Sequence, residues 1–321
     1  YSGTWIIKIG LEMSKAVHIA SGQLNNTVTG RDTMAKFLIL GKNGQVGWEL
    51  QRALALHGEV LCLGRHDEGG DLSSPEKVAT AILKFSPNAV FNAAAYTAVD
   101  KAETDNEEAY LINAQALQPM ACACKKVGAL LIHYSTDYVF DGSGQTPRTE
   151  DALPSPVNVY GASKLAGEKV ILDSGCSSLI FRTSWVYGVH GKNFIKTILR
   201  LGQTKESLNV VNDQVGTPTS AEFIADVSTA LAMRVLSGEK SLLGIYHLVP
   251  DGETNWCDFA KWIISNAREL NYPLTLSVQH IKGIPSEEYP TTAKRPLNSR
   301  LDNNKLKGLF PKQTIHSLDP Y

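Results

Sequence analysis

Short, mainly apolar runs alternate with longer stretches of helical periodicity in the first part of the chain. The runs have the length of buried strands and lie at 37–40, 60–63, 89–92, 130–134 and 179–182. Between them, residues 48–54 and 107–127 have the apolar spacing of helices. Because strands and helices alternate in this order, we predict an α/β fold of Rossmann type. It would have a doubly wound parallel sheet with helices on both faces.

The alternation weakens after residue 187. Helical patterns continue, separated by loops rich in proline, glycine and asparagine, at 193–201, 221–235 and 256–270. We therefore predict a dinucleotide-binding domain over residues 34–187. Residues 188–321 would be mainly a smaller C-terminal α/β substrate-binding lobe. Segments of this second region are also compatible with a return to the first domain.

The two ends of the chain differ from the rest. Residues 1–33 begin with Tyr1 and have neither a clear period nor the apolar core of a signal peptide. A strand pattern starts cleanly just after Met34. We interpret Met34 as the native start and residues 1–33 as a non-native leader. Residues 311–321 have no convincing closing helix, and we interpret them as altered or truncated.

Composition and charge narrow the class of protein. The net charge of the 321 residues is -1, so there is no general attraction for nucleic acid or for an anionic membrane. No apolar run approaches the roughly 18 residues of a transmembrane helix. Five cysteines are few and odd in number, which favours a reducing compartment over a disulfide framework. These features predict a cytoplasmic protein that acts on small molecules.

A glycine-rich turn directly follows the first predicted strand. Its sequence is Gly41-Lys42-Asn43-Gly44-Gln45-Val46-Gly47. A strand, a glycine turn and a helix N-terminus together place backbone N–H groups against a pyrophosphate, and the glycines allow the phosphates to approach closely. The turn therefore predicts a dinucleotide site, although the spacing is not Gly-x-Gly-x-x-Gly and a simple turn is the alternative.

The end of the second predicted strand bears on the choice of cofactor. NAD enzymes usually place an acid there to bind the ribose 2′-hydroxyl, whereas this chain has Gly64 and Arg65. An arginine would pair with a 2′-phosphate, so the sequence favours NADPH over NADH, with a solvated loop arginine as the alternative. Asp71 and Leu72 are a plausible adenine contact, and the small residues 93–95 would let the cofactor pass closely.

Tyr160 and Lys164 form the strongest candidate for chemistry. Residues four apart share one face of a helix, and a cation near a phenol favours the phenolate and lowers its pKa. Tyr160 could then exchange a proton with a carbonyl or alcohol oxygen near neutral pH. Ser135 and Thr136 follow a predicted strand, where their hydroxyls could bond a substrate carbonyl. The alternatives are a chance Tyr-x-x-x-Lys spacing and hydroxyls that merely form a turn.

Longer segments carry a resemblance to a known family. They are 41–50, 134–140, 158–168, 182–187, 212–219 and 295–300. In this order, over about 34–306, the chain resembles the dTDP-4-dehydrorhamnose reductases of the extended short-chain dehydrogenase/reductase family. That family reduces the 4-keto group of dTDP-4-dehydro-β-L-rhamnose to dTDP-L-rhamnose, which is used for bacterial cell-surface polysaccharide such as the O antigen of lipopolysaccharide.

The resemblance also implies residue roles. Tyr160 would be the proton donor, Lys164 would tune it and hold the nicotinamide ribose, and Thr136 would orient the substrate carbonyl. Substrate contacts would be Thr136, Asp137, Trp185 and Arg295. Arg295 is physically suited to anchor a diphosphate or a sugar, and its alternative is a surface arginine. Cofactor contacts would be Gly41, Gly44, Gln45, Val46, Gly47, Gly64, Arg65, Asp71, Leu72, Ala93, Ala94, Ala95, Tyr160 and Lys164.

Two features of the family bear on cofactor and assembly. Members often have an acid where Gly64 stands and accept either cofactor, so this departure reduces the expectation of NADH use. Some members form homodimers through Mg²⁺ held by glutamates, and Glu49 matches one such position. A homodimer with Mg²⁺ is therefore a weaker expectation, and a solvated surface glutamate is its alternative.

Other readings of the same fold remain open. Nucleotide-sugar epimerases and dehydratases share it, but the dehydratases place a glutamate after the Thr-Asp pair, where this chain has Tyr138. An NADP-binding regulatory subunit without turnover would be expected to lack Thr136, Tyr160 or Lys164, and all three are present. Thymine and uracil differ by one methyl group, so the sequence does not separate the two bases.

Overall fold

The structure, a computed structural model, describes residues 34–310 of the chain. The predictions for 1–33 and 311–321 lie outside the described residues. Within the described part, no helix is both long and apolar enough to cross a membrane.

Strands and helices alternate through the first half in the predicted order. They are β1 (Ala35–Leu40), α1 (Gln45–Leu54), β2 (Gly58–Leu63), α2 (Pro75–Phe85), β3 (Ala89–Asn92), α3 (Val99–Ala102), α4 (Asn106–Tyr110), α5 (Leu117–Val127), β4 (Leu130–Thr136), α6 (Val159–Ser174) and β5 (Ser178–Thr183). All five predicted strands are present. The predicted helix at 107–127 is interrupted by a π-helical turn, Leu111–Gln115.

The second half is more irregular, as its sequence indicates. Its elements are β6 (Val186–Tyr187), α7 (Phe194–Gly202), β7 (Leu208–Val211), β8 (Val215–Gly216), β9 (Thr219–Ser220), α8 (Ala221–Leu236), β10 (Gly244–His247), β11 (Thr254–Asn255), α9 (Trp256–Glu269), β12 (Ile281–Ile284) and α10 (Asn304–Lys307). The three predicted helices correspond to α7, α8 and α9. Three small two-stranded sheets pair β6 with β9, β7 with β12 and β8 with β11.

Six parallel strands form the main sheet, in the order β2-β1-β3-β4-β5-β10. The chain leaves β1 in one direction to form β2 and then returns to the other side to form β3. This reversal of strand order opens a crevice at the carboxyl ends of β1 and β3, where ligands bind in such sheets. The Rossmann-type doubly wound fold is thereby confirmed. The sixth strand, β10, comes from beyond residue 187.

The sheet is buried on both faces, which explains the continuous apolar runs in its strands. Along β1, Phe37 and Ile39 point into one core with residues of α1 and α8, while Leu38 and Leu40 point into a second core with residues of α2 and α5. Alternate side chains of a strand face opposite sides of a sheet, so one strand serves both cores. A third core lies between α7 and α9, in the region where the sequence predicts the smaller lobe.

Candidate active site

The glycine turn lies at the crevice between β1 and β3. Gly41 has a φ of +86°, and a Cβ added to it would lie 2.7 Å from the amide nitrogen of Ala94. A Cβ on Gly47 would collide with the carbonyl oxygen of Gly41. Both glycines are therefore required by close packing of the turn against helix α1 and the loop after β3.

Helix α1 begins beside this turn without a side-chain cap. Gly44 is its N-cap, so no side chain occupies the first amides of the helix. Those N–H groups and the helix dipole favour an anion at this position. The backbone of Gln45, Val46 and Gly47 is thus suited to bind a pyrophosphate, and its contact with a dinucleotide stays a prediction.

A segment of the second half covers the glycine turn. The Gln45 side chain donates to the carbonyl oxygen of Val186 at 3.2 Å and accepts from Asn193 at 3.0 Å. His190 stacks on Trp48, with ring centroids 4.3 Å apart, and its Nε2 lies 3.0 Å from the carbonyl oxygen of Asn43. The side chain of Gln45 is thereby used to join the two halves, which leaves its backbone for a cofactor.

Two cations lie at the end of β2. Arg65 is largely exposed, with its Nη2 3.4 Å from Glu108 and its Nε 3.9 Å from Asp71. Lys42 pairs with Asp67 at 2.6 Å, and Asp67 also accepts from the amide of Gly64. Lys42 is the residue that the sequence reasoning left without a role. Lys42 lies in the glycine turn after β1, and β1 is adjacent to β2. This position in the sequence could have indicated a role for Lys42 near the end of β2.

Asp71 and Leu72, the predicted adenine contacts, lie next to the end of β2. Leu72 is buried in the core under β1 and β2, and Asp71 accepts from the amide of Ser73 at 3.0 Å. Beyond β3, Ala93 donates to the carbonyl oxygen of Leu40 at 3.0 Å, which holds the loop against the glycine turn. The small residues at 93–95 lie where the cofactor would pass, and their contact with it stays a prediction.

The π-helical turn supports this loop. Asn113 accepts from the amide of Tyr96 at 2.9 Å and donates to the carbonyl oxygen of the same residue at 3.0 Å. Its Nδ2 also donates to Ser163 on α6 at 3.0 Å. Asn113 therefore connects the loop after β3 to the helix that carries Tyr160. Sequence reasoning missed it, because a π-helical turn inside a helical pattern leaves the apolar spacing nearly unchanged.

The structure brings Thr136, Tyr160 and Lys164 together. Thr136 ends β4, and Tyr160 and Lys164 lie on α6, which begins at the N-cap Asn158. A Cβ on Gly161 would collide with the carbonyl oxygen of Tyr138, so glycine lets α6 approach the turn after β4. As a result, the hydroxyl of Thr136 lies near enough to the Tyr160 phenol to affect its pKa.

Burial raises the pKa of the Tyr160 phenol above its ordinary value of 10, and the nearby hydroxyl of Thr136 offsets only part of this effect. We expected Lys164 to lower this pKa. The lysine instead extends toward β4, where its Nζ lies 2.7 Å from the carbonyl oxygen of Tyr134 and 3.2 Å from His133 Nε2. Tyr160 is consequently held as a protonated phenol, the form that donates a proton.

Lys164 is almost fully buried, and burial lowers the pKa of its amine to about 8. Glu168, one turn further along α6, opposes this shift. The carboxylate of Glu168 is itself bound by Arg182 of β5 at 2.7 Å and by the hydroxyl of Ser135. This buried pair fixes α6 to the sheet and so fixes the position of the catalytic candidates.

Asp137 lies directly after Thr136 and is also buried. Burial raises the pKa of its carboxyl to about 6, and the nearby hydroxyls of Ser299 and Thr136 offset part of the rise. The hydroxyl of Thr136 donates to Oδ1 of Asp137 at 3.0 Å. Asp137 therefore lies within the site, and its contact with substrate stays a prediction.

Trp185 follows β5 with a φ of +50°, which is strained for a large side chain. Its ring stacks on Trp256 at 3.6 Å, and a Cβ on Gly216 would lie 2.8 Å from the indole. Trp256 is held in turn by a hydrogen bond from its Nε1 to Gln214 at 3.2 Å. Sequence reasoning missed Trp256, although a tryptophan at the start of a helix beside a substrate lobe was a usable signal.

Arg295 lies at the same crevice. Its Nη2 donates to Asp100 at 2.6 Å, and its charge lowers the pKa of nearby Tyr138. The Tyr138 ring packs edge-on against Tyr160, with centroids 5.6 Å apart. Arg295 thus reaches the neighbourhood of the catalytic candidates from the far end of the chain. Its role in binding substrate stays a prediction.

Glu49, which the family resemblance matches to an Mg²⁺ position in a dimer, is paired within the single chain, and its Mg²⁺ role stays a prediction. Its carboxylate pairs with Arg52 at 3.2 Å, and the same guanidinium lies 2.7 Å from Asp226 and 3.8 Å from Glu222. An arginine already occupies the space between these carboxylates. In the part of the chain that the structure describes, no group of three or more His, Cys, Asp or Glu side chains could hold a metal ion.

A nucleotide turn at the reversal of strand order, together with Thr136 beside a Tyr-x-x-x-Lys pair, defines an extended short-chain dehydrogenase/reductase. More specifically, residues 35–316 match the model of the RmlD substrate binding domain, and the chain belongs to that family. The family resemblance stated from the sequence is thereby confirmed.

Several relatives of this chain carry the same name. This chain is 49% identical over 275 residues to the dTDP-4-dehydrorhamnose reductases of Shigella flexneri and of Escherichia coli strain K12. Each alignment covers 85% of this chain and 91% of the relative. Among solved structures, it is similar to the dTDP-4-dehydrorhamnose reductase of Bacillus anthracis strain Ames in complex with NADP. That comparison has a TM-score of 0.77 at 34% identity and covers 86% of this chain and 92% of the other.

Proposed function

We propose that this protein reduces the 4-keto group of dTDP-4-dehydro-β-L-rhamnose with NADPH and forms dTDP-L-rhamnose. The observation that carries the proposal is the 49% identity to reductases of that name across most of both chains. The proximity of Thr136 to Tyr160, with Lys164 on the same helix as Tyr160, supports it. This assigns the protein to the NAD(P)H-dependent oxidoreductases, in dTDP-rhamnose biosynthesis.

The residues of the glycine turn would hold the cofactor. The open amides at the start of α1 would bind the pyrophosphate, and Arg65 and Lys42 would bind the 2′-phosphate. Lys164 would hold the nicotinamide ribose through its amine. The contacts of this amine to β4 do not use all of its hydrogen-bonding capacity. When bound, NADPH supplies a hydride to the carbonyl carbon of the sugar.

Tyr160 would supply the proton. Its phenol is kept protonated by burial, and Thr136 orients the hydroxyl and can share the substrate oxygen. As the carbonyl carbon is reduced, negative charge develops on the oxygen, which then takes the phenolic proton. The proton on Tyr160 and the hydride together account for the two hydrogens that the product gains.

Substrate would lie between the catalytic residues and the smaller lobe. We assign Asp137 to the sugar, Trp185 to an apolar face of the substrate and Arg295 to the diphosphate or the sugar. The strained, stacked Trp185 and the location of Arg295 beside Tyr138 support these roles. Asp100 offsets part of the charge of Arg295, so the arginine is positioned before substrate arrives.

NADPH oxidation tests the proposal, with substrate made in situ from dTDP-glucose by a dehydratase and an epimerase. We expect wild-type protein to oxidise NADPH and yield dTDP-rhamnose. Tyr160→Phe should reduce the rate by about 10²–10⁴-fold. Tyr246→Phe is a matched control, because Tyr246 is buried and donates to the carbonyl oxygen of Leu242 away from the site.

The same assay separates the alternatives. NADPH binding without turnover in the wild type would contradict the reductase and favour a regulatory subunit. Dehydration or isomerisation of the nucleotide sugar by this protein alone, with the auxiliary dehydratase or epimerase left out and without net NADPH consumption, would favour a dehydratase or an epimerase. Tyr138 argues against the dehydratase. Comparing the uridine analogue of the substrate would establish how strongly the base is discriminated.

We also propose a cytoplasmic location and a homodimer. Few, odd-numbered cysteines support the location. The dimer rests on the family resemblance alone, and so does an Mg²⁺ ion at Glu49 between its subunits. Sedimentation of the purified full chain, with and without a chelator, tests it: a monomer at micromolar concentration would contradict it.

A further inference from the structure

A segment near the end of the described chain carries Arg295 into the crevice. We call this segment, residues 293–299, the C-terminal strap. Toward strand β8, the carbonyl oxygen of Leu297 accepts from the amide of Val215 at 2.8 Å. At the opposite end of the strap, Ala293 is fully buried. The position of Arg295 therefore depends on how the strap is held at both ends.

Asn158 joins the strap to the start of helix α6. Its Oδ1 accepts from the amide of Gly161 at 2.8 Å, which caps the helix. Its Nδ2 donates to the carbonyl oxygen of Lys294 at 2.7 Å, and the side chain is buried. Tyr160 lies two residues after Asn158, and Arg295 directly follows Lys294. One side chain thus contacts both the segment that carries the proposed proton donor and the segment that carries the proposed anchor.

Only part of what Asn158 does is explained by capping. Serine and aspartate cap a helix about as well as asparagine, because each supplies an oxygen for the first free amides. The carbonyl oxygen of Lys294 only accepts, so this second contact needs a donor. A carboxylate has no donor, and the side chain of serine is shorter. The amide of Asn158 has an acceptor for the helix and a donor for the strap.

The short helix α3 makes a second connection between the same two segments. Glu103, which follows α3, accepts from the amide of Val159 at 2.8 Å. Asp100, within α3, accepts from the amide of Ala293 at 3.1 Å and from Nη2 of Arg295 at 2.6 Å. The pair of Asp100 and Arg295 is partly exposed, whereas Asn158 is buried, so water competes less with the contact from Asn158.

We propose that Asn158 is a positioning residue that holds the C-terminal strap against helix α6 and so sets the distance between Tyr160 and Arg295. The catalytic consequence rests on the proposed reductase, in which Tyr160 gives the proton and Arg295 holds the diphosphate or the sugar. A strap that moves relative to α6 presents its anchor in several positions. Ordering it then opposes binding, and the substrate binds more weakly.

Hydrogen–deuterium exchange of the full chain, without ligand, tests the contact itself. Asn158→Asp and Asn158→Ser both keep an oxygen for the amide of Gly161 and remove the amide donor to Lys294. We expect peptides that cover the strap to exchange about three- to tenfold faster, as the loss of one hydrogen bond predicts. Peptides of helix α6 should be unchanged. Unchanged exchange of the strap in both variants would overturn the proposal.

Steady-state kinetics with NADPH tests the consequence for the reaction. In both variants of Asn158, KM for the nucleotide sugar should rise about three- to tenfold, while kcat and KM for NADPH change little. Faster exchange of the strap with an unchanged KM for the sugar would overturn the positioning role. Equal losses in all three kinetic parameters would indicate general damage to the site and would also overturn it.

Ser220→Ala is the matched control for a weakened helix cap. Ser220 caps helix α8 by accepting from the amide of Phe223 at 3.1 Å, and α8 packs in the core with α1. Its loss should lower stability and leave exchange of the strap unchanged. Faster exchange of the strap in this variant as well would overturn the specific role of Asn158. The exchange needs no substrate or turnover, so failure of the reductase assay and failure of this proposal are distinguishable.

Discussion

Gly47 lies where a single added carbon atom would alter the nucleotide turn. Because its Cβ would collide with the carbonyl oxygen of Gly41, Gly47→Ala should push helix α1 away from the turn. We expect NADPH affinity to fall by more than about tenfold, since the helix amides that bind phosphate are displaced. Fluorescence titration measures the change. Gly308→Ala is the control, because its Cβ meets only ordinary contacts beyond 3.3 Å. Equal affinities of the two variants would contradict the argument.

Asp137 gives stability a specific pH dependence. Its pKa is raised from an ordinary 3.8 to about 6, so the native protein binds more protons than the unfolded chain between those values. The free energy of unfolding should therefore fall as the pH rises through this window, by up to roughly 3 kcal/mol from this group. Urea unfolding at several pH values, compared with Asp137→Asn, measures the difference. If the two proteins respond to pH in parallel across the window, Asp137 does not have the raised pKa.

At the scale of elements, helix α6 is anchored to the sheet by a buried ion pair. Glu168→Gln would leave Arg182 uncompensated in the core, where the pair is 2.7 Å apart and almost fully buried. We expect the free energy of unfolding to fall by about 3–5 kcal/mol. Glu239→Gln breaks the exposed pair with Arg234 and should cost no more than about 1 kcal/mol. Chemical denaturation of both variants measures the contrast, and similar losses would show that α6 does not depend on this pair.

Helix α9 contributes to the substrate region through its first residue. Trp256→Leu removes the ring that stacks on the strained Trp185, so the indole should lose its fixed position. We expect KM for the nucleotide sugar to rise by about tenfold or more while KM for NADPH changes little. Trp262→Leu, on the same helix, is the control, since Trp262 packs against Phe259. Equal changes in both KM values for Trp256→Leu would indicate a general loss of structure.

Some of the strands can be predicted from the sequence, and others cannot. The strands buried on both faces were predicted because their apolar runs are continuous. Strand β10 was missed, because Gly244–His247 is short and mixed, and becomes a strand by pairing with β5. Strands of two residues, such as β6 and β9, have no period to detect. They form because the chain around them is already held by its tertiary contacts.

Some residues of the candidate site were predicted from the sequence, and others were not. Thr136, Tyr160 and Lys164 were brought together by motif spacing, since a strand end and a helix with this spacing meet in such folds. The partners of Lys164 were not predicted, because the amine reaches a neighbouring strand that lies 31 residues away along the chain. The available signal was His133 itself, a polar residue inside an apolar run. A buried polar group in such a run requires a partner.

At the scale of the whole molecule, residues from both halves of the chain form the crevice. Arg295 bonds Asp100 across 195 residues, and Asn193 bonds Gln45 across 148. Strand β10 and helix α8 complete the sheet and core of the nucleotide-binding part. We therefore expect a ligand in the crevice to contact segments from both halves of the chain and to stabilise the molecule as a unit.

Cofactor preference should accordingly appear in the stability of the whole molecule. A ligand that binds only the native state at a hundred times its Kd adds about 2.7 kcal/mol to the free energy of unfolding. We expect NADPH to raise Tm more than NADH at equal concentration, because Arg65 and Lys42 lie where the 2′-phosphate would bind. Arg65→Ala should reduce the NADPH shift and leave the NADH shift unchanged. Lys240→Ala, an exposed lysine outside the crevice, is the control. Equal losses for both cofactors would mean that Arg65 supports the fold of the site and does not recognise the phosphate.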